Sequence, residues 1–370
     1  RRDQPEGDVA WVYFGASSDP REKVSLLSGS SFTSLEAARA HLNRYRMYNV
    51  PFDVINRKAL QAWQQRLSTV AIEAPRTTRT IFYSALYRAS LAPRLYSDLG
   101  GAYPCFDSSR GPNVTCTSEA NYYSDFSAWD TYRSLHPLLL VVAPSVSKDM
   151  VKSLVTAGTQ NDGLLPTFPV WNSDTRAMIG DHTACIVTDA ILKGLFADDK
   201  RTALLGAAQV LKNAYSSRAR PGLASYRRHG FIPLDDPVKN MAGHSGEQVS
   251  RTLEYAYNDA VASAMAYASK GADKTEAGRK LSERALSHRN LFDPASGYFV
   301  AKSREGRAPP FNRDKIYKYL TEGTLTHWFF NPLHDHKCSV ALAGGRAQYE
   351  ARLDEYFALK SLKSLKGEEG

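Results

Sequence analysis

Ser250-Arg251-Thr252-Leu253-Glu254-Tyr255-Ala256-Tyr257-Asn258-Asp259-Ala260 leads into an amphipathic helix over 253–269. Glu254 and Asn258 sit one turn apart on a common face, and Asp259 aligns with Glu254 less well. A carboxylate on such a helix either contacts a ligand or holds an arginine or a neighbouring loop end. The same helical pattern recurs at 147–157, 182–196, 201–217 and 275–290. The joining segments are rich in turn residues, as in Asp162-Gly163-Leu164-Leu165-Pro166 and Asp293-Pro294-Ala295-Ser296-Gly297. Alternating short and long connections suggest helical hairpins. Such hairpins can close into a toroid of inner and outer helices, with polar-aromatic motifs at one mouth; a plain bundle fits the pattern too.

Towards the N-terminus, helices are expected over 34–45, 56–67 and 76–92. Leu60 and Trp63 mark a buried stripe on the second, and Phe82, Leu86 and Tyr87 can share a face on the third. Residues 9–15 and 23–27 read as strands, too few to form a stable sheet alone. Residues 100–121 read as a long irregular loop, and the lysine- and serine-rich end of the chain is expected to fray.

The 370 residues carry a formal charge of +9, 43% hydrophobic and 11% aromatic content, and twenty tyrosines. The positive excess is spread, with no long basic tract interleaved with aromatics, which argues against nucleic acid as a partner. No apolar run reaches the roughly 18 residues of a membrane span. Of four cysteines, Cys105 and Cys116 flank one loop closely enough to bridge. Asn113-Val114-Thr115 between them is a glycosylation acceptor sequence. Together these features lean toward a secretory, lysosomal or extracellular compartment. Cys185 and Cys338 read as buried thiols.

The chemistry concentrates in four segments. Tyr123 to Pro137 combines Trp129, Asp130, Arg133 and His136 with further aromatics. Flat apolar surface beside fixed donors and acceptors suits a sugar. Asp130 would accept hydroxyls and Trp129 would form a wall, although the pair would also serve as a helix start. Arg133 is expected to orient a carboxylate one turn away, and His136 to be structural. In the second segment, Met178-Ile179-Gly180-Asp181-His182, His182 points into a cleft or satisfies a backbone carbonyl. The third is the Glu254 helix. The fourth, Tyr319 to Phe330, holds Glu322 among Tyr319, Trp328 and Phe329. Burial there would raise its pKa and suit a general acid. His327, His334, Asp335 and His336 lack the spacing of a zinc motif.

At these residues the chain resembles glycoside hydrolase family 92, the calcium-dependent, exo-acting α-mannosidases. The resemblance runs from about residue 20 to the Leu353-Asp354-Glu355-Tyr356-Phe357 segment. Its marks, in order, are Phe82-Tyr83-Ser84-Ala85-Leu86-Tyr87-Arg88, Trp129-Asp130-Thr131-Tyr132-Arg133, Met178 to His182, Thr252 to Tyr257, and Glu322-Gly323 followed by Trp328. It implies a mainly α fold: an incomplete (α/α)6 toroid over 96–370, a helical linker over 31–95, and the last strands of an N-terminal β-sandwich over 1–30. It implies an inverting mechanism with Glu322 as acid. Trp129 and Asp130 would contact terminal mannose, with Arg133, His182 and Glu254 in or behind the cleft. The chain departs from the family where Thr324 replaces an asparagine and Leu325-Thr326-His327 stand for Trp-Gln-Tyr. The family's later Gly-Asn-Glu-Pro and Gly-Asn-Asp-Asp segments are not in this sequence. The catalytic base and most ligands of the implied calcium ion are therefore expected from a separate C-terminal segment. The alternative is an inactive homologue, kept as a structural or glycan-binding subunit.

Overall fold

A computed structural model describes residues 26–46, 50–106, 114–239 and 244–358. Three helices come first: α1 (Leu35–Arg46), α2 (Phe52–Leu67) and α3 (Arg76–Ala89). Ser34 starts α1 by accepting the Ala37 N–H at 3.0 Å, as an N-cap serine should. The expected buried stripe on α2 is not found. No residue of α2 is buried, and Leu60 is 61% exposed. Amphipathic spacing sorts apolar residues to one face, but burial needs a neighbour to cover it, and the cover here is partial, as where Trp63 packs on Tyr87 of α3. On α3 Leu86 alone is buried.

Two short ribbons then tie this region to the rest. β1 (Arg94–Leu95) pairs antiparallel with β4 (Tyr123–Ser124), and β2 (Ala102–Pro104) with β3 (Thr115–Thr117). Cys105 and Cys116 are disulfide-bonded beside the second ribbon. The strand expected over 9–15 lies outside the described residues, as do Asn113 and most of 23–27; Leu26 and Leu27 are not in a strand.

The main body is helical: α4 (Ala128–Thr131), α5 (Leu135–Val142), α6 (Pro144–Gln160), α7 (His182–Leu192), α8 (Lys200–Asn213), α9 (Leu223–His229), α10 (Gln248–Ala268) and α11 (Ala272–Arg284). Between them lie a third ribbon, β5 (Pro169–Val170) with β6 (Ser173–Asp174), and beyond α11 a fourth, β7 (Phe292–Asp293) with β8 (Tyr298–Phe299). The helix expected to continue to residue 290 tightens into a 3-10 turn at Ala285–Leu291. α12 (Leu325–Trp328), α13 (His336–Leu342) and α14 (Arg346–Phe357) follow.

α10 is the spine. It is buried on nearly every side: its apolar and small residues face the two cores, while Arg251, Glu254, Asn258 and Asp259 are buried against polar partners. Ala262 and Met265 join Leu154, Val187 and Val210 in one core. Val249 and Leu253 join Phe299, Leu325 and Phe329 in a second. Successive helices pack on each other, α5 on α6, α6 on α7, α7 on α8 and α10 on α11. This mainly α architecture is consistent with an incomplete α/α toroid. Among the described residues no helix is long and apolar enough to cross a membrane.

A buried chain of charges braces the centre. Arg220 Nη2 lies 3.1 Å from Asp181 Oδ2, and its Nη1 lies 2.6 Å from Asp259 Oδ1. Arg284 Nε reaches the other Asp259 oxygen at 2.6 Å, and Tyr226 donates to it at 3.1 Å. Asp181, Arg220 and Asp259 are fully buried, so each charge depends on its partners.

Candidate functional site

Trp129 and Arg133 flank the end of α4, whose approach is fixed by the preceding loop. Ser124 donates to Trp171 O at 2.6 Å, and Phe126 N–H donates to Pro169 O at 3.0 Å. Asp125, with φ of 62°, accepts from Tyr96 at 3.0 Å and pairs with Arg94. Burial, with Asp125 nearby, pushes the Tyr96 hydroxyl up to about 12. The chain therefore enters α4 with Trp129 set against the second core.

Opposite lies the segment before α12. Thr321 N–H donates to Ser250 Oγ at 2.8 Å, and its hydroxyl donates to Glu247 Oε1 at 2.9 Å. Trp328 Nε1 donates to Thr321 O at 3.0 Å. Thr324 and His327 cap α12 reciprocally, and burial lowers the His327 pKa. Between these anchors Glu322 takes a left-handed φ of 47° and projects outward. The expected burial of Glu322 against Tyr319, Trp328 and Phe329 is not found: those rings are buried, but Glu322 is exposed. Aromatic neighbours in sequence face the core while the reversed backbone turns the carboxylate away.

Trp129, Arg133, Thr321, Glu322, Asn331 and Tyr356 are among the residues around one cavity of about 430 Å³. Two of them hold buried polar atoms without a hydrogen-bond partner, Trp129 Nε1 and Asn331 Oδ1. Such atoms are rare in a settled interior and common where a polar ligand completes the bonding. Asp130 follows Trp129 but is exposed and does not line the cavity.

Behind the cavity lies a buried group on α7 and α10. Arg133 reaches Glu254 Oε1 at 3.5 Å, across to another helix rather than to a carboxylate one turn away. His182 Nε2 lies 2.8 Å from Glu254 Oε2, at ion-pair distance but without hydrogen-bond alignment. Asn331 donates to Glu254 Oε1 at 3.4 Å. Burial would raise the Glu254 pKa, but His182, Arg133 and Asn331 outweigh it and hold the carboxyl below its ordinary value. His182 stacks on Tyr132, with centroids 4.1 Å apart and planes 8° from parallel, and Arg133 covers the same ring. Burial, with the Glu254 charge, drives the Tyr132 hydroxyl well above its usual range. Asn258 Oδ1 accepts the Asp181 N–H at 2.9 Å, and its Nδ2 faces His182 Nδ1 at 3.4 Å. His182 is thus a buried partner of Glu254; it neither lines the cavity nor satisfies a carbonyl.

Five of the six site residues read from sequence therefore converge. Trp129, Arg133 and Glu322 surround the cavity, and His182 and Glu254 lie directly behind Arg133. Asn331, Thr321 and Tyr356 were missed: Thr321 and Tyr356 lie in segments singled out for other residues, and Asn331 follows the Tyr319 to Phe330 segment. His136 is buried and stacked on Phe126, and burial lowers its pKa to about 4. Cys185 is buried, whereas Cys338, expected to be buried, is half-buried.

Among the described residues, His288, Asp335 and Cys338 bring potential metal ligands within 4.8 Å of one another. Nitrogen, oxygen and sulfur donors do not make the oxygen shell that calcium takes.

The sequence profile of the glycosyl hydrolase family 92 catalytic domain matches residues 37–369. The chain is 24% identical, over 93% of its length, to an uncharacterized secreted glycosidase of Arthroderma benhamiae, and spans 43% of that protein. Among solved structures it resembles the family GH92 α-mannosidase BT3965 of Bacteroides thetaiotaomicron in complex with mannoimidazole. That match has a TM-score of 0.76 and 26% identity over 90% of this chain and 42% of the other. The inverting family GH92 mannosidase BT2199 of the same species matches at a TM-score of 0.75 and 28% identity, over 88% of this chain and 42% of the other. The chain thus spans less than half the length of these relatives. The profile match covers most of the sequence and the folds agree: the chain belongs to glycosyl hydrolase family 92.

Proposed function

We propose that this chain forms the acid and sugar-contacting part of an inverting α-mannosidase that removes terminal mannose, α-1,2-linked, from glycans. The observation that carries the proposal is the cavity joining Glu322, Trp129 and Arg133, with unpartnered polar atoms on Trp129 and Asn331. A pyranose has a flat apolar face for an indole and a rim of hydroxyls for such atoms.

In the proposed reaction Glu322 donates its proton to the glycosidic oxygen as the C1–O bond breaks. A carboxylate on a further segment takes a proton from water, whose oxygen attacks C1 from the opposite face. Trp129 holds the sugar. Arg133, fixed from behind by Glu254 and His182, sets the charge facing it. Glu322 is exposed here, so bound sugar or further chain has to exclude water from it. Calcium, with oxygen ligands, would come with the segment that brings the base. In this proposal residues 31–95 are linker and the toroid starts at residue 96; the sandwich strands expected over 1–30 fall mostly outside the described residues. We assign the chain to the secretory or extracellular space, supported by the Cys105–Cys116 bond and the secreted relative.

The exposure of Glu322, together with Thr324 and His327 locked in a mutual cap, favours a second reading: a glycan-binding homologue without catalysis. Calorimetric titration of the purified chain with mannose tests what the two readings share. Binding that is lost in Trp129→Ala supports a sugar site. Absence of binding by folded chain at millimolar mannose removes both readings.

A further inference from the structure

We propose that His288, Asp335 and Cys338 form a binding site for a borderline divalent cation of the zinc class. His288 lies on the 3-10 turn after α11 and is completely buried. Its Nδ1 is 3.0 Å from the Ala285 carbonyl oxygen. A carbonyl oxygen can only accept, so the ring proton belongs on Nδ1. That leaves the lone pair on Nε2, which has no hydrogen-bond partner and faces Asp335 Oδ2 at 3.5 Å. Two electron-rich atoms confronting each other at a buried position repel unless a cation lies between them. Metal-bound histidines are commonly held this way, with the second ring nitrogen donating to a carbonyl that fixes tautomer and orientation.

The other two donors stand on the first turn of α13. Asp335 caps that helix by accepting the Cys338 N–H at 3.3 Å, which places its carboxylate and the Cys338 side chain on one side of the turn. Cys338 is not disulfide-bonded. Imidazole nitrogen, carboxylate oxygen and thiolate sulfur form a three-ligand set with a fourth position open to water. Zinc and cobalt take such donors readily, and calcium does not. Arg289 is the competing cation, with its Nη2 2.5 Å from Asp335 Oδ2. Its side chain is 46% exposed and free to swing outward when a metal arrives.

The test uses the metal-free chain titrated with cobalt(II), with bound metal counted by elemental analysis and the thiolate-to-cobalt absorption band recorded. One equivalent should bind and show the band. Zinc should displace it, and excess calcium should not. Cys338→Ser should abolish the band while the far-ultraviolet circular dichroism is unchanged. Arg289→Ala, a surface change, should tighten binding by up to about fivefold, the scale of an exposed ion pair. Folded chain that binds no stoichiometric cobalt would overturn the proposal. So would a band that persists in Cys338→Ser, or displacement by calcium as effective as by zinc. Mannosidase activity is not read, so the outcome is independent of the function proposed above.

Discussion

Replacing Gly180 with alanine should loosen the site from behind. Gly180 sits at φ of +79°, and an added Cβ would lie 2.3 Å from His182 Nε2 and 2.7 Å from its Cδ2. His182 cannot retreat easily, because it is sandwiched against Tyr132 on one side and packed beside Glu254. Two costs add. The left-handed backbone conformation costs a residue with a Cβ about 1–2 kcal/mol. Forcing a buried ring out of a packed position costs roughly a further 1–3 kcal/mol. Gly194, just beyond α7, separates them: its φ is +82°, but nothing lies within 4 Å of its Cβ position. Urea unfolding at neutral pH should therefore show a loss of about 1–2 kcal/mol for Gly194→Ala and about 2–5 kcal/mol for Gly180→Ala. Equal losses in the two variants would refute the claim that His182 is held rigidly against Glu254.

Other expectations follow from the buried charges. Asp259→Asn strips Arg220 and Arg284 of a shared partner and should cost about 3–5 kcal/mol in the same assay; a loss below about 1 kcal/mol would show the network to be dispensable. The folded-state pKa of Glu254 is depressed, so the stability it contributes is present above the unfolded carboxylate value of about 4.3 and is lost as pH falls through its folded value. The stability gap between wild type and Glu254→Gln should accordingly be widest near neutrality and shrink below about pH 4, and a gap constant from pH 7 to 3 would contradict the pairing. Arg133→Ala leaves Glu254 with His182 and Asn331 alone, so it should weaken mannose binding in calorimetry with only a small loss of stability, whereas unaltered binding would place Arg133 outside the site.

How much the sequence disclosed differs from residue to residue. The helices were legible because apolar spacing is a local property, as Val249, Leu253, Ala262 and Met265 of α10 show. Leu60 was misread because spacing reports which face is apolar and not whether anything covers it. Trp129, Arg133 and Glu322 were legible as chemistry, since aromatic, guanidinium and carboxylate groups crowd into short motifs. The carboxylate partner of Arg133 was not, because it lies on a helix far along the chain. Glu322 was expected inside on the strength of its aromatic neighbours, but one left-handed residue reverses the direction of a side chain, and composition carries no sign of it. The Asp181–Arg220–Asp259–Arg284 chain was not legible either, since four charges at unrelated spacings carry no pattern that joins them.

The most direct measurement is release of free mannose from α-1,2-linked mannobiose by natively purified protein, with intact mass recording any co-purifying chain. The account predicts release that disappears in Glu322→Gln while that variant still binds mannose. Unchanged release in Glu322→Gln, or none from folded wild-type protein accompanied by the segment that supplies the base, would contradict it.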